Sequence, residues 1–210
     1  MAHKDHYYNG SRLVSATELV SIIDKPFLHR WRESLCCPQS GVCGFERGRQ
    51  IADEAATLGI EVHEHVEKYL KGEPITETEW GANIVSKLKQ HVIKPYLIEP
   101  EETLIDNESG LAGSPDFVAV WDDEPVIGDV KVKNQLDENT DDQGCAYRYL
   151  IHRKFGIWID KMRILWCKKR TKSKLVEIVD IDLKANYDNW LALVKRWNKA
   201  NPKRRVTIYD

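Results

Sequence analysis

Three charged residues stand where a β-hairpin should build its core. In GSPDFVAVWDDEPVIGDVKVKN, residues 113–134, two apolar runs flank an acidic turn, and Asp116, Asp129 and Lys131 lie inside the runs rather than at their tips. Side chains along a strand alternate between faces. Val126, Val130 and Val132 therefore share one face, the natural core side, while Ile127, Asp129, Lys131 and Lys133 share the other. Antiparallel pairing with the preceding run brings Asp116 within reach of Asp129. Two carboxylates that close repel unless a cation lies between them. Hard oxygen donors with room for water suit Mg²⁺ or Mn²⁺. A lysine beside such an ion can orient a water, help deprotonate it, or stabilise negative charge on a phosphate in transfer.

The elements that must position these residues are readable in outline. Ser15, with Glu18 three residues on, forms a capping box ahead of Leu19, Ile22 and Ile23, and Pro26 should break that helix before a short second one carrying Phe27, Leu28 and Trp31. A long helix is predicted over 46–70, ended by Gly72 and Pro74, and an amphipathic one over 77–92. The texture then changes to three strands, 102–106, 112–121 and 126–133, joined by the turns NESG and DDEP. A helix over 141–155, strands over 163–168 and 175–181, a helix over 187–200 and a last strand over 206–209 complete the chain. This order predicts an α/β (α+β) fold: a three-strand meander and a crossover helix building a mixed central sheet flanked by helices. Residues 1–98 read as an N-terminal helical region contributing a helix to the metal site. Residues 99–210 read as the core, and the two together as one continuous domain.

Pro115-Asp116 followed by Asp129-Val130-Lys131 resembles the signature of the PD-(D/E)XK nuclease superfamily, whose fold is restriction-endonuclease-like. Three further motifs stand in the order of its RecB-like and lambda-exonuclease-like branch. Gly59-Ile60-Glu61-Val62-His63, followed by Glu67, resembles the upstream G-x-x-x-H…E helix, whose histidine joins the metal site; His63 and Glu67 share a helical face. Glu101-Glu102 opens the strand before the hairpin, where the branch has a glutamate near the metal. Either residue suits, and Glu102 is taken as the ligand. Gln143-Gly144-Cys145-Ala146-Tyr147 resembles the Q-x-x-x-Y motif, with Gln143 and Tyr147 on one face, able to hydrogen-bond DNA or a catalytic group. The sequence departs from the branch in Val132, where threonine or serine often follows the lysine, and in Lys133, a second lysine on the face of Lys131. The resemblance spans residues 55–185.

It implies a metal-dependent DNA exonuclease acting in recombination, repair or end processing for a phage or small replicon. Mg²⁺ or Mn²⁺ would be held by His63, Glu102, Asp116 and Asp129, and the catalytic set would be Asp116, Asp129, Lys131, Gln143 and Tyr147. The alternatives are a structure-selective or restriction-like endonuclease on the same fold, and an inactive nucleic-acid-binding protein. The partner is DNA, single-stranded or with duplex ends; a homo-oligomer or a recombination-protein partner is compatible with the branch.

Composition narrows the rest. With 31 Lys and Arg against 33 Asp and Glu, no global basic field attracts nucleic acid, so phosphate must be met by local patches. One is the basic turn with Lys168, Lys169, Arg170 and Lys172. Another is Trp31 with Arg32. A third surrounds Trp190 and Trp197 and includes Arg204. Basic residues interleaved with aromatics fit backbone contacts plus base stacking. Cys36, Cys37 and Cys43 lie early, and Cys145 and Cys167 are scattered, a pattern unlike the one early and three late cysteines of iron–sulfur members, so no cluster is expected. No apolar run of about 18 residues exists, so no membrane span is expected. The opening residues lack the apolar core of a secretory signal, which predicts a cytoplasmic protein, in the bacterial host if phage-encoded.

Overall fold

Ser15 starts the first helix where the capping box predicts it. In the computed structural model, which describes residues 7–8, 10–23, 31, 33–35, 44–76, 78–136, 139–168 and 175–209, its hydroxyl accepts from the Glu18 amide at 3.0 Å. The short strands β1 (Tyr7–Tyr8), β2 (Ser11–Arg12) and β3 (Val14–Ser15) precede the helix α1 (Ala16–Val20). The break expected at Pro26 and the helix with Phe27 and Leu28 fall outside the described residues, as do Cys36, Cys37 and Cys43.

The long helix α2 (Gly44–Lys71) buries Val62 and Val66 and stops at Gly72, whose φ of 70° only glycine adopts freely. Thr78 caps α3 (Glu79–Leu88), accepting from the Gly81 amide at 3.1 Å, and Trp80, Ile84 and Leu88 form its buried stripe. The strands β4 (Ile93–Pro95), β5 (Leu104–Asp106), β6 (Leu111–Gly113), β7 (Phe117–Trp121) and β8 (Glu124–Val132) follow. After them come α4 (Thr140–Phe155), β9 (Lys161–Cys167), β10 (Val176–Asp182) and α5 (Leu183–Ala200).

Pro115 decides how the sheets divide. The run 112–121, expected as one strand, is β6 and β7 in separate sheets. Proline has no N–H to offer a ladder, so pairing lapses at Ser114-Pro115-Asp116. One sheet has the order β10-β9-β8-β7-β4, with β8 and β9 parallel and the other neighbours antiparallel. The parallel pair requires a crossover, which α4 supplies. The other sheet has the order β3-β6-β5, with β3 parallel to β6. The expected meander is therefore corrected to two hairpins in two sheets. The fold is mixed α/β, with mixed sheets flanked by helices. Strands from both sides of residue 98 meet in each of these sheets: β4 beside β7, and β3 beside β6.

Two further expectations are corrected. The strand expected over 206–209 is irregular backbone, tied by Thr207 N–H to Ser109 O at 3.0 Å and by Tyr209 N–H to the Tyr149 hydroxyl at 3.2 Å. The Asp129 face of β8 is also not open. Ile127 packs with Val118 and Ile164 beneath α4 and α5, while Val126 and Val130 pack with Phe117 and Leu165 beneath α2 and α3. A sheet covered on both faces wants apolar residues on both. Asp129 is thus placed in a core, not on a surface. Among the described residues, no helix is long and apolar enough to cross a membrane.

Candidate metal centre

Strand register does the first part of the positioning. Phe117 on β7 lies opposite Gly128 on β8, so one step along the ladder Asp116 faces Asp129. The Asp116 carboxylate turns back onto the partner strand, and its Oδ2 accepts from the Val130 amide at 2.5 Å. Its Oδ1 lies 3.2 Å from His63 Nδ1, and Glu101 Oε1 lies 3.6 Å from the same nitrogen. His63, Glu101 and Asp116 each offer a ligand atom, all within 4.8 Å of one another, a group able to hold a metal ion. Glu101 reaches it through a left-handed backbone, φ 64°, and its amide donates to the Asp116 carbonyl at 2.9 Å. That conformation costs a non-glycine residue roughly 1–2 kcal/mol, which the surrounding contacts must offset.

Glu102, taken as the ligand from sequence, is corrected to Glu101. The Glu102 carboxylate turns away, accepting from Lys154 Nζ at 2.7 Å and from the Glu99 amide at 3.1 Å. Glu67, four residues after His63, pairs with Lys71 at 2.6 Å. Asp129 stands outside the three-residue group. It is 2 % exposed, with Oδ2 2.6 Å from Lys131 Nζ, off the axis of a hydrogen bond. Burial pushes its carboxyl up to about 6; the Lys131 charge opposes this and the Asp116 charge adds to it.

His63 carries the clearest sign of a ligand site. Its Nδ1 is buried without a hydrogen-bond partner, between two carboxylates. Burial disfavours the charged ring, but Asp116, Glu101 and Asp129 together outweigh it and raise the pKa to about 10. Near neutral pH, below that value, the ring holds its proton, and a ligand nitrogen cannot. The donor set of one imidazole nitrogen and two carboxylates fits a divalent cation that displaces this proton. Calorimetric titration with Mn²⁺ near neutral pH, in two buffers of different ionisation enthalpy, should show about one proton released per ion bound. Zero release would remove His63 from the ligand set.

On the other wall, α4 supplies Gln143 and Tyr147. Gln143 Oε1 accepts from Lys131 Nζ at 3.2 Å, while its Nε2 donates to the Tyr147 hydroxyl at 2.6 Å and to Thr17 Oγ1 at 3.4 Å. Burial first, then the charges of Asp129 and Asp116, hold the Tyr147 phenol well above its ordinary value, so it stays neutral. The two walls enclose a cleft of about 670 Å³, into which His63, Glu101, Asp116, Asp129, Lys131, Gln143 and Tyr147 all face, together with Thr17 from α1. A Cβ on Gly59 would meet nothing within 4 Å, so that glycine leaves the cleft open rather than easing a contact.

Thr17 was not legible as a site residue. It lies 126 residues from Gln143 in the chain, and a threonine in the first turn of a helix reads as ordinary capping chemistry. Of the expected DNA-binding residues, Lys168 and Trp31 are among the described ones, and neither lines the cleft. Lys168 pairs with Glu177 at 2.8 Å and lies over the Trp166 ring. Lys169, Arg170, Lys172 and Arg32 fall outside the described residues. Trp31 is half-buried and does not line the cleft. The third patch is corrected: Trp190 and Trp197 are buried, leaving no ring face for a base, and Arg204 is bound to Glu18.

No family model matches the sequence, and no curated protein matches it. A solved structure described as "Crystal structure of SSO0001" aligns over 88 % of this chain and 76 % of its own, with 11 % identity and a TM-score of 0.37.

Proposed function

We propose that the protein is a metal-dependent deoxyribonuclease, an exonuclease on a restriction-endonuclease-like core of the RecB-like branch. The observation that carries this reading is the convergence of His63, Glu101 and Asp116 with the Asp129–Lys131 pair at one end of the β7–β8 ladder. Gln143 and Tyr147 stand across the same cleft.

His63, Glu101 and Asp116 would hold the ion, with Asp129 adjacent; Mg²⁺ or Mn²⁺ suits the carboxylate-rich set. Bound there, the ion would supply Lewis-acid polarisation of a phosphate oxygen and lower the pKa of water. The chain's own residues do the rest. Asp129 and Gln143 fix the Lys131 ammonium from two sides, so its charge is aimed before substrate arrives, where negative charge grows at phosphorus. Water adds to phosphorus, the P–O ester bond breaks, and one phosphate end and one hydroxyl end result.

The test is a digestion series on end-labelled single-stranded, duplex and covalently closed circular DNA, with Mg²⁺, Mn²⁺ or chelator. Metal-dependent loss of nucleotides from linear ends, with circles spared, is the expected outcome. Rapid cutting of closed circles would replace the exonuclease by an endonuclease, and binding without cleavage of any DNA or RNA would leave a binding protein. Asp129→Ala and Lys131→Ala should each lower cleavage by roughly 10²-fold or more while DNA binding is largely retained.

A further inference from the structure

We infer that Thr17 is a substrate contact: with Tyr147 it presents a hydroxyl proton to a non-bridging oxygen of the phosphodiester backbone, an inference that rests on the nuclease reading above. Lysine can only donate, so the Gln143 atom 3.2 Å from Lys131 Nζ must be the amide oxygen. The amide NH₂ then faces the Thr17 and Tyr147 hydroxyls, and both oxygens act as acceptors. Their own protons are left to point elsewhere. Neither hydroxyl makes another hydrogen bond among the described residues, and both side chains line the cleft. Lys131 thus sets the polarity of a three-residue relay whose two ends are O–H donors facing the space a substrate would fill.

Thr17 is exposed, yet the turn that carries it is anchored by its neighbours. On that turn Leu19 is fully buried, and Glu18 accepts from both terminal nitrogens of Arg204 at 2.6 and 2.9 Å. Arg204 also reaches the Leu13 carbonyl at 3.1 Å. The neighbouring Ser15 hydroxyl oxygen accepts from the Glu18 amide, which ties the start of the helix. A neutral donor linked to Lys131 through the Gln143 amide suits a phosphate oxygen, because such contacts set register on the backbone without reading sequence.

The experiment compares Thr17→Val, which keeps the shape and removes the hydroxyl, with Thr17→Ser, which keeps the hydroxyl. Fluorescence anisotropy of a labelled single-stranded oligonucleotide, with Ca²⁺ replacing Mg²⁺, reads binding; digestion with Mg²⁺ reads kcat and KM. Thr17→Val should weaken binding and kcat/KM by about tenfold, the worth of one hydrogen bond to a charged group, with Mn²⁺ affinity and melting temperature unchanged. Thr17→Ser should restore most of the loss. Wild-type values in Thr17→Val, or equal losses in both variants, would overturn the contact while cleavage by the wild type leaves the nuclease reading standing. If the wild type cleaves nothing but binds the oligonucleotide, the nuclease reading fails and anisotropy alone decides the contact. A wild type that does neither overturns both.

Discussion

Asp116→Asn should fold normally and lose most of the affinity for a divalent cation that the proposed site provides. The amide keeps the shape of the carboxylate, and its oxygen can still accept from the Val130 amide, so the β7–β8 ladder survives. What disappears is the negative charge beside His63 Nδ1, the largest of the influences that raise that ring's pKa to about 10. The ion loses an anionic donor at the same time. Mn²⁺ affinity should fall roughly 100-fold or more, and the cleavage proposed above should drop to background. Calorimetry with Mn²⁺ beside a thermal melt separates loss of the ion from loss of the fold. Affinity within a few-fold of the wild type would show that His63, Glu101 and Asp116 are not the ligand group.

Gly128→Ala should be the most damaging small substitution in the sheet. A Cβ at residue 128 would lie 2.0–2.4 Å from three carbons of the Phe117 ring, against about 3.5–4.0 Å for carbons in contact. The ring cannot move aside. Phe117 is 2 % exposed in the cluster beneath α2 and α3, and it stacks on Trp121 at 6.1 Å between centroids. The strands must part or shift, at about 3 kcal/mol or more. Because Asp116 and Asp129 are the next pair along, the site should be lost with the register. Urea denaturation measures the first effect and Mn²⁺ titration the second. The double variant Phe117→Leu/Gly128→Ala should be more stable than Gly128→Ala alone, since the clash is specific to the ring. A Gly128→Ala protein within about 0.5 kcal/mol of the wild type would mean that this close approach does not set the register.

The sequence by itself determined most of the elements, because their signals are local. Ser15 and Glu18 mark the start of α1, and Gly72 marks the end of α2. The amphipathic pattern of α3 needs no partner to be read. The spacing of Asp116, Asp129 and Lys131 also sufficed to predict carboxylates facing each other across a ladder, since alternation and antiparallel register are properties of any hairpin.

Tertiary structure decided the rest. Two adjacent glutamates cannot be told apart by type. The left-handed backbone at Glu101, and Lys154 arriving from α4, send one carboxylate to His63 and the other away. The lapse at Pro115 separates two sheets only because β3 and β4 wait on different sides to pair with the halves. Asp129 is buried because α4 roofs a face that alternation alone would leave to solvent. Thr17 joins Gln143 across 126 residues of chain, a closeness that no spacing rule encodes. Side-chain type and local period are written in the chain; which groups meet, and with which proton between them, follows from how the packed layers close around the cleft.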